Sequence, residues 1–377
     1  MASTETASFH QHFQGLDDPR VERTRKHPLI NIIFITVCGV LSGANSIAGI
    51  HEFAVDHQTW LARYLDLSNG IPSEDTIARV LARLDPGAFE KCLLSWIQAV
   101  CVATAHRLVA IDGKTLRGSA DLEQGRAAIH MVSAWATANK LSLGQVVVGE
   151  KTNEITAIPE LLQLLEISGA LVTIDAMGCQ KAIANQIREK EADYVLPVKE
   201  NQPTLYQEVQ AALDEALEQD AENIEEHETV ETGHGRQEHR TYAIFPKPAS
   251  VDPEGQWRDL NAIGIATCER IDAQGRVSVE ARYYILSRLI SAVEFAEAVR
   301  GHWSIENNLH WQLDVSFRED DCRVCRGHAP ANLSVVRRFA LGLLKRETTC
   351  RKGIAIKRIK CSANDDYREK ILFNCGS

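Results

Sequence analysis

Two aspartates stand at the ends of short apolar runs, where a side chain could carry out chemistry. Asp112 ends RLVAID and is followed by Gly113, and Asp175 ends ALVTID and is followed by Ala176-Met177-Gly178. Open sheets bind ligands at the carboxyl ends of their strands, so the two acids could converge there. Close carboxylates repel each other unless a cation lies between them, and oxygen ligands suit Mg²⁺ or Mn²⁺. Taken singly, each aspartate is more simply explained as a turn or capping residue, but the repeated arrangement favours a shared site.

A third acidic candidate lies in the segment RGHWSIENNLHWQLDVSFREDD, residues 300–321. Ser304 can cap a helix that runs to about Ser316, with apolar residues at roughly helical spacing. Glu306, His310 and Asp314 follow one another in steps of four and therefore share one stripe of this helix. The stripe could bind a metal ion or form a hydrogen-bond ladder on the surface, and the pattern alone leaves both open.

The elements that must position these acids fall into three patterns along the chain. Up to about residue 105 the periodicity predicts helices at Ile30–Leu41, Ser46–Tyr64, Glu74–Arg83 and Gly87–Thr104. From about 106, the order strand, hairpin, helix, strand, helix, strand predicts a mixed α/β sheet with covering helices. Residues 224–287 are strand-rich, and helices return at Ser291–Val299, Ser304–Val315 and Ala331–Lys345.

The composition is typical of a folded protein from a reducing compartment. The chain has 377 residues, of which 45% are hydrophobic and 24% charged, and this excludes disorder as its main state. Ten cysteines are too few for a disulfide scaffold, and no secretory signal is recognisable at the polar start, so we expect a cytoplasmic protein. The uncharged stretch 29–50 is strongly apolar only over Leu29–Leu41, which favours a buried helix over a membrane span.

The net charge of −10 hides a division of charge along the chain. Residues 203–235 hold ten acids and no lysine or arginine, whereas residues 322–377 hold thirteen lysines and arginines against four acids. A polyanionic partner is therefore compatible with the acidic total, although a solvated basic surface explains the tail equally well.

Other signals are weaker. Cys322-x-x-Cys325 lacks the second ligand pair of a zinc site, which favours ordinary thiols. Gly233-His234-Gly235-Arg236 is either a cationic turn that contacts phosphate or a plain hairpin loop. The sequence contains no Walker loop, G-x-G-x-x-G or G-x-S-x-G, which argues against the nucleotide-binding and hydrolase classes that use them.

Five phrases follow one another along the chain: IDGKTLRGS, TIDAMGCQ, LPVKENQPTL, ETGHGRQEHR and VRGHWSIENNLHWQLDVSFRED. Together with DDPR, HPLINIIFITVCGVLSGA and GIPSEDTIARVLARLDP near the start, they resemble the DDE transposases of bacterial insertion sequences. The greatest similarity is to the ISAs-type branch, which includes the H-repeat-associated proteins. The resemblance spans nearly the whole chain.

This resemblance implies a ribonuclease-H-like α/β catalytic domain whose acidic triad binds two Mg²⁺ ions, with Mn²⁺ as an alternative. By motif, Asp112 is the first acid, Asp175 the second and Glu306 the third. The implied activity is DNA transposition: metal-dependent phosphodiester hydrolysis and strand transfer at the ends of an insertion sequence. The implied partner is double-stranded DNA, both transposon ends and target, bound by a homodimer near the nucleoid in the cytoplasm. No membrane partner is expected.

The expected domains combine the pattern with the resemblance. They are a helical N-terminal domain (1–105), the first part of the catalytic domain (106–223), a strand-rich insertion (224–287), and the last part of the catalytic domain with a basic helical C-terminus (288–377). The candidate DNA contacts are Lys199, Asn201, His234, Arg236, Arg323, Arg337 and Arg338. Contacts of this kind weaken as salt rises.

The sequence departs from the broader group's Y-x(2)-R-x(3)-E-x(6)-K pattern. Counted from Glu306, the other three places hold Val299, His302 and Leu313, so those roles are not carried over, and Asp314 is the reserve third acid. One alternative is a transposase-derived DNA-binding protein without catalysis. Another is an unrelated metal-dependent phosphodiesterase that acts on small nucleotides.

Overall fold

The computed structural model describes residues 4–100, 108–120, 127–137, 141–149, 153–218, 223–233 and 236–373. The described residues from 4 to 100 are mostly helical, as predicted. The helices are α1 (Thr4–Phe13), α2 (Leu29–Leu41), α3 (Ile47–Asp56), α4 (Gln58–Leu61), α5 (Glu74–Arg83) and α6 (Pro86–Val100). Ser73 caps α5 by accepting a hydrogen bond from the Thr76 amide, and two acids follow in its first turn.

The apolar segment that begins at Leu29 is a buried helix. All residues of α2 from Asn31 to Leu41 are buried, because the helix lies inside a core built with the C-terminal helices. In the part of the chain that the structure describes, no helix is long and apolar enough to cross a membrane.

The centre of the fold is a nine-stranded mixed sheet in the order β3-β2-β1-β4-β5-β9-β8-β7-β6. Its strands are β1 (Leu108–Leu116), β2 (Ile129–Ala136), β3 (Leu141–Val148), β4 (Leu171–Ile174), β5 (Asp193–Val198), β6 (Glu225–Gly233), β7 (Arg236–Pro246), β8 (Ala262–Ile271) and β9 (Val277–Leu286). Strands β1, β4 and β5 are parallel, and β2, β3 and β9 run antiparallel to their neighbours. The strands of the predicted insertion extend this sheet, because β9 pairs directly with β5.

Helices cover both faces of the sheet, which confirms the predicted α/β class. They are α7 (Glu154–Leu164), α8 (Lys181–Glu189), α9 (Pro203–Glu218), α10 (Ala292–Ile305), α11 (Trp311–Phe317), α12 (Ala329–Arg346), α13 (Ile354–Ala363) and α14 (Asp365–Phe373). Helix α7 packs against β2 and β3, and α10 packs against β1 and β4.

Alternate residues of β1 face these two layers. Val109 and Ile111 belong to the core formed with α7 and α8, whereas Ala110 belongs to the core formed with the N- and C-terminal helices. Because strand side chains alternate between faces, Asp112 points to the α10 side of the sheet and Gly113 to the α7 side.

Around Ser304 the prediction of a new helix is wrong. Helix α10 already runs from Ala292, is capped by Ser291, and continues without a break into a π-helical turn over Glu306–His310 and then into α11. Ser304 donates its hydroxyl to the Gly301 carbonyl inside this helix, so it is not a cap. Single π-helical turns are frequent at functional sites.

Candidate active site

The two aspartates lie on adjacent parallel strands at the carboxyl end of β4, where Asp175 follows the strand directly; Asp112 lies inside β1, which continues to Leu116 and does not end at the aspartate as predicted. Ile111 of β1 pairs with Ile174 of β4, and each is followed directly by an aspartate, Asp112 and Asp175. Neighbouring strands lie about 4.8 Å apart, so the register brings the two carboxylates into one neighbourhood. The Gly113 amide donates to Asp112 Oδ1 at 2.9 Å, and the Gly178 amide donates to Asp175 Oδ1 at 3.1 Å.

Glu306 faces the cleft from the helix that packs against β1 and β4. It is the first residue of the π-helical turn and is exposed. Asp112, Asp175 and Glu306 line one cleft of about 400 Å³. The structure therefore brings together the three acids predicted as catalytic and metal-binding residues.

The surroundings of Asp112 strongly raise the pKa of its carboxyl group. Burial raises its pKa to about 7, the Gly113 amide opposes this, and the charges of Asp175, Glu154 and Glu306 raise it further. A carboxyl group with so much negative charge around it binds a proton or a cation readily.

Two histidines flank Glu306 on the same helical surface. His310 Nδ1 lies 3.5 Å from Asp112 Oδ2, and its Nε2 is buried without a hydrogen-bond partner among the described residues. His302 lines the cleft near Asp175. Burial lowers the pKa of His302 to about 4 and that of His310 to about 3, so both rings are neutral near pH 7.

The chemistry of these side chains fits a hard divalent cation. The three acids offer only oxygen, in an open cleft where the charges of Asp175, Glu154 and Glu306 act on Asp112. Among the described residues, no group of three His, Cys, Asp or Glu side chains is already close enough to hold a metal ion. The acids thus line the cleft without forming a closed ligand shell.

The reserve acid, Asp314, does not belong to this cleft. Its carboxylate pairs with the buried Lys114 ammonium, next to Glu319 and Asp320. Asp314 lies two helical turns beyond Glu306, which places it beside Lys114 of β1. The position of Asp314, outside the cleft and paired with Lys114, does not support it as the third acid.

The predicted DNA contacts divide into exposed and buried groups. Lys199 is exposed on the rim of the cleft, and exposed Asn201 donates to the Ala176 carbonyl at 2.8 Å, which fixes the turn after Asp175. Arg236 and Arg323 are exposed, and Arg236 pairs with Glu238 at 2.9 Å. His234 lies outside the described residues.

Arg337 and Arg338 are not surface residues, and this corrects their prediction as DNA contacts. Both lie on α12, are 3% and 1% exposed, and pair with the buried Glu319 at 3.8 and 3.7 Å. Their charges contribute to the apparent basic tail, but they neutralise an acid inside the fold.

Sequence reasoning missed a fourth acid beside the first. Glu154 is the first residue of α7 and its charge acts on Asp112. Its Oε1 lies 2.6 Å from Nε2 of His130, on β2. An acid in the first turn of a helix is expected from the helix dipole alone, so the sequence carried no signal that pointed to this site.

A second missed feature adjoins the cleft. A neighbouring cavity of about 340 Å³ is bounded by β7–β9 and α10 and contains five arginines: Arg236, Arg240, Arg270, Arg282 and Arg300. Arg282 stacks over Trp303, 4.4 Å from the ring centroid, and both also line the acidic cleft. Glu238 and Glu280 bridge several of these arginines, so the cavity is less positive than the arginines alone suggest.

The fold and the cleft define a class of α/β protein in which carboxylates from separate elements meet at the end of a mixed sheet. The chain belongs to the family described as "Transposase DDE domain", whose model matches residues 103–341. Residues 10–97 match a second model, described as "DDE_Tnp_1-associated". The predicted family is therefore confirmed.

Two relatives from Escherichia coli cover almost the whole chain. "Putative transposase YncI" of strain O157:H7 is 42% identical over 96% of this chain and 93% of its own length. "H repeat-associated putative transposase YhhI" of strain K12 is 38% identical over 97% of this chain and 98% of its own length. Among solved structures, the piggyBac transposase synaptic complex with hairpin DNA has a TM-score of 0.37 at 10% identity, over 97% of this chain and 76% of its own.

Proposed function

We propose that this chain is a Mg²⁺-dependent DNA transposase that hydrolyses phosphodiester bonds at the ends of an insertion sequence and transfers the strand to target DNA. The observation that carries the proposal is the cleft at the end of β4 and beside Asp112 of β1, which Asp112, Asp175 and Glu306 line together. The family and the names of the relatives support the same activity.

The residues of the cleft suit phosphoryl transfer. Mg²⁺ or Mn²⁺ bound by the three acids would activate a water or a DNA 3′-hydroxyl and stabilise the leaving oxygen of an in-line displacement. Asp112 and Asp175 hold their positions through backbone amides, and Asn201 fixes the turn after Asp175. Lys199 on the rim supplies a positive charge to a DNA phosphate.

The neutral histidines limit the positive charge in the cleft. Because His302 and His310 are buried and uncharged near pH 7, they do not compete with a cation for the aspartates. They instead pack and orient the helix that carries Glu306. Joining both ends of an element to one target requires two active sites, so we expect a homodimer assembled on DNA.

The proposal is tested by cleavage of duplexes that tile the DNA on either side of the reading frame, with Mg²⁺ or Mn²⁺. We expect Asp112→Asn, Asp175→Asn and Glu306→Gln to abolish nicking while duplex binding, measured by fluorescence anisotropy, is retained. Glu297→Gln is the matched control, because Glu297 is exposed on the same helix as Glu306 but away from the cleft. Binding without metal-dependent nicking in the unsubstituted protein would instead support a DNA-binding protein without catalysis. Cleavage of small nucleotides but not of duplex DNA would support a phosphodiesterase.

A further inference from the structure

Glu154 reaches the neighbourhood of Asp112 from the opposite face of the sheet. It begins α7, which Asn153 caps by accepting a hydrogen bond from the Thr156 amide. Helix α7 packs on the face to which Gly113 points, whereas Asp112 points toward α10. Strand β4 pairs with β1 only as far as Ile111, so beyond that residue no strand of the described ranges pairs with β1 on this side. Side chains from the two faces of the sheet can therefore approach each other beyond the end of β4.

The missing side chain of Gly113 makes this approach possible. A Cβ atom on Gly113 would lie 2.2 Å from Glu154 Oε1 and 2.7 Å from His130 Nε2, closer than atoms can pack. The carboxylate and the imidazole thus lie directly against the backbone that follows Asp112. This glycine has an ordinary strand conformation, so the close contact is what requires it.

His130 fixes the orientation of Glu154. Its Nε2 lies 2.6 Å from Glu154 Oε1, and its Nδ1 lies 2.8 Å from the hydroxyl of Thr115. The contact between Thr115 and His130 follows from strand pairing, because Thr115 of β1 lies directly opposite His130 of β2. A carboxylate held by one oxygen in this way keeps the other oxygen for a ligand, an arrangement typical of the outer shell of metal sites.

The carboxylate of Glu154 is a mostly enclosed negative charge beside the backbone that follows Asp112. The Glu154 side chain is only 18% exposed, so water screens its charge incompletely.

We infer that Glu154 is a fourth carboxylate of the catalytic centre, which binds the same divalent cation as Asp112, with His130 as its positioning residue. This inference rests on the proposed function, because it assumes that the acids of the cleft bind a cation. A purely structural Glu154 would serve only the dipole of α7 and its contact with His130.

The test is Mn²⁺ binding without DNA. Binding is measured as the decrease of the electron paramagnetic resonance signal of free Mn²⁺. We expect Glu154→Gln to weaken binding about 10-fold or more, because removing even an outer-shell partner costs about 10–100-fold. Glu160→Gln, an exposed acid on the same helix, is the control and should bind as the unsubstituted protein does. His130→Ala should weaken binding about 10-fold, and His130→Gln should restore it, because its amide can still donate to Glu154.

Unchanged Mn²⁺ affinity in Glu154→Gln, with loss of affinity in Asp112→Asn, would overturn the inference and leave the proposed function intact. Unchanged affinity in both variants would overturn the proposed function itself. Gly113→Ala provides an independent variant, because its methyl group must displace Glu154 without removing its charge. We expect it to weaken Mn²⁺ binding as Glu154→Gln does, and normal binding would count against the inference.

A second measurement needs no substitution. Fe²⁺ bound in place of Mg²⁺ generates hydroxyl radicals with peroxide and ascorbate, and these cut the backbone beside the ion. We expect cuts near residues 112 and 175 and a further cut near 154. Cuts at the first two places without one near 154 would overturn the inference even if every variant failed to fold.

Discussion

The acidic cleft should destabilise the metal-free protein, and Asp112→Asn measures by how much. Burial and three acidic neighbours raise the pKa of Asp112 from its ordinary value of 3.8 to about 7 in the folded chain. The folded state therefore holds the proton more tightly than the unfolded state does. Between about pH 4 and pH 7, the cost of ionising Asp112 in the fold grows with pH, and above about pH 7 it is complete.

The size of this cost follows from the difference in pKa. About three pH units at about 1.4 kcal/mol each give an upper value of about 4 kcal/mol. Asp112 is 27% exposed, and relaxation of the cleft reduces the measured effect, so we expect about 2–4 kcal/mol. Asparagine keeps the size of the side chain but carries no charge, so the variant should be more stable by this amount at about pH 8 and no more stable at about pH 4.

The assay is urea denaturation of both proteins in a chelator across this pH range, repeated with Mn²⁺. Glu160→Gln is again the control, because an exposed acid should change stability little at any pH. Mn²⁺ should stabilise the unsubstituted protein and remove the advantage of the variant, since ligands that bind only the folded state stabilise it. Equal stability of Asp112→Asn and the unsubstituted protein at about pH 8 would refute the electrostatic argument.

Three further predictions concern groups outside the triad. Burial raises the pKa of Glu90 to about 8, so Glu90→Gln should raise the melting temperature at about pH 9 but not at about pH 4. Arg338→Met should destabilise the chain by about 3–5 kcal/mol in urea denaturation, because it leaves the buried Glu319 carboxylate without one of its cations; a loss below about 1 kcal/mol would contradict this. Lys199→Ala should weaken duplex binding and reduce the slope of log affinity against log salt by about 0.9, measured by anisotropy, and an unchanged slope would exclude Lys199 as a phosphate contact.

The positions of the two aspartates could be predicted from the sequence because two local rules act together. Buried parallel strands give short apolar runs, and an acid that directly follows such a run is expected near the carboxyl end of its strand. Asp175 follows β4 directly, whereas Asp112 lies inside β1, which continues to Leu116. The pairing of Ile111 with Ile174 then places the acids side by side. Glu306 required the resemblance, because the helical pattern alone favoured Asp314 equally.

The errors come from effects that act between distant parts of the chain. Serine is a typical residue at a helix start, which is why Ser304 was predicted to begin a helix. Helix α10 instead begins at Ala292, packs against β1 and β4, and continues past Ser304. Arg337 and Arg338 look like surface charges until Glu319, nearly twenty residues earlier, is found buried against them. Local propensity is a weak guide where tertiary packing decides.

Glu154 illustrates the same limit of sequence reasoning, in this case through a residue that was not predicted. A glutamate at the first position of a helix needs no further explanation, and His130 occupies an ordinary strand position. Only the pairing of β1 with β2 and the packing of α7 bring both side chains against Gly113. A functional group that also satisfies a local rule cannot be distinguished by sequence pattern from one that only satisfies the rule.

The cleft also explains why so much of the fold surrounds it. The like charges of Asp112 and Asp175 destabilise the metal-free state, so the elements that hold them must be stable independently of the site. Strand β1 is paired on both sides up to Ile111, and its flank is fixed by Lys114, whose ammonium neutralises acids of α11 and the following turn. Helix α10 is anchored through the buried Phe295, which packs against Tyr242 and Tyr284 of the extended sheet. The strands of residues 225–286 therefore do more than enlarge the sheet, because they brace the helix that presents Glu306 to the two aspartates.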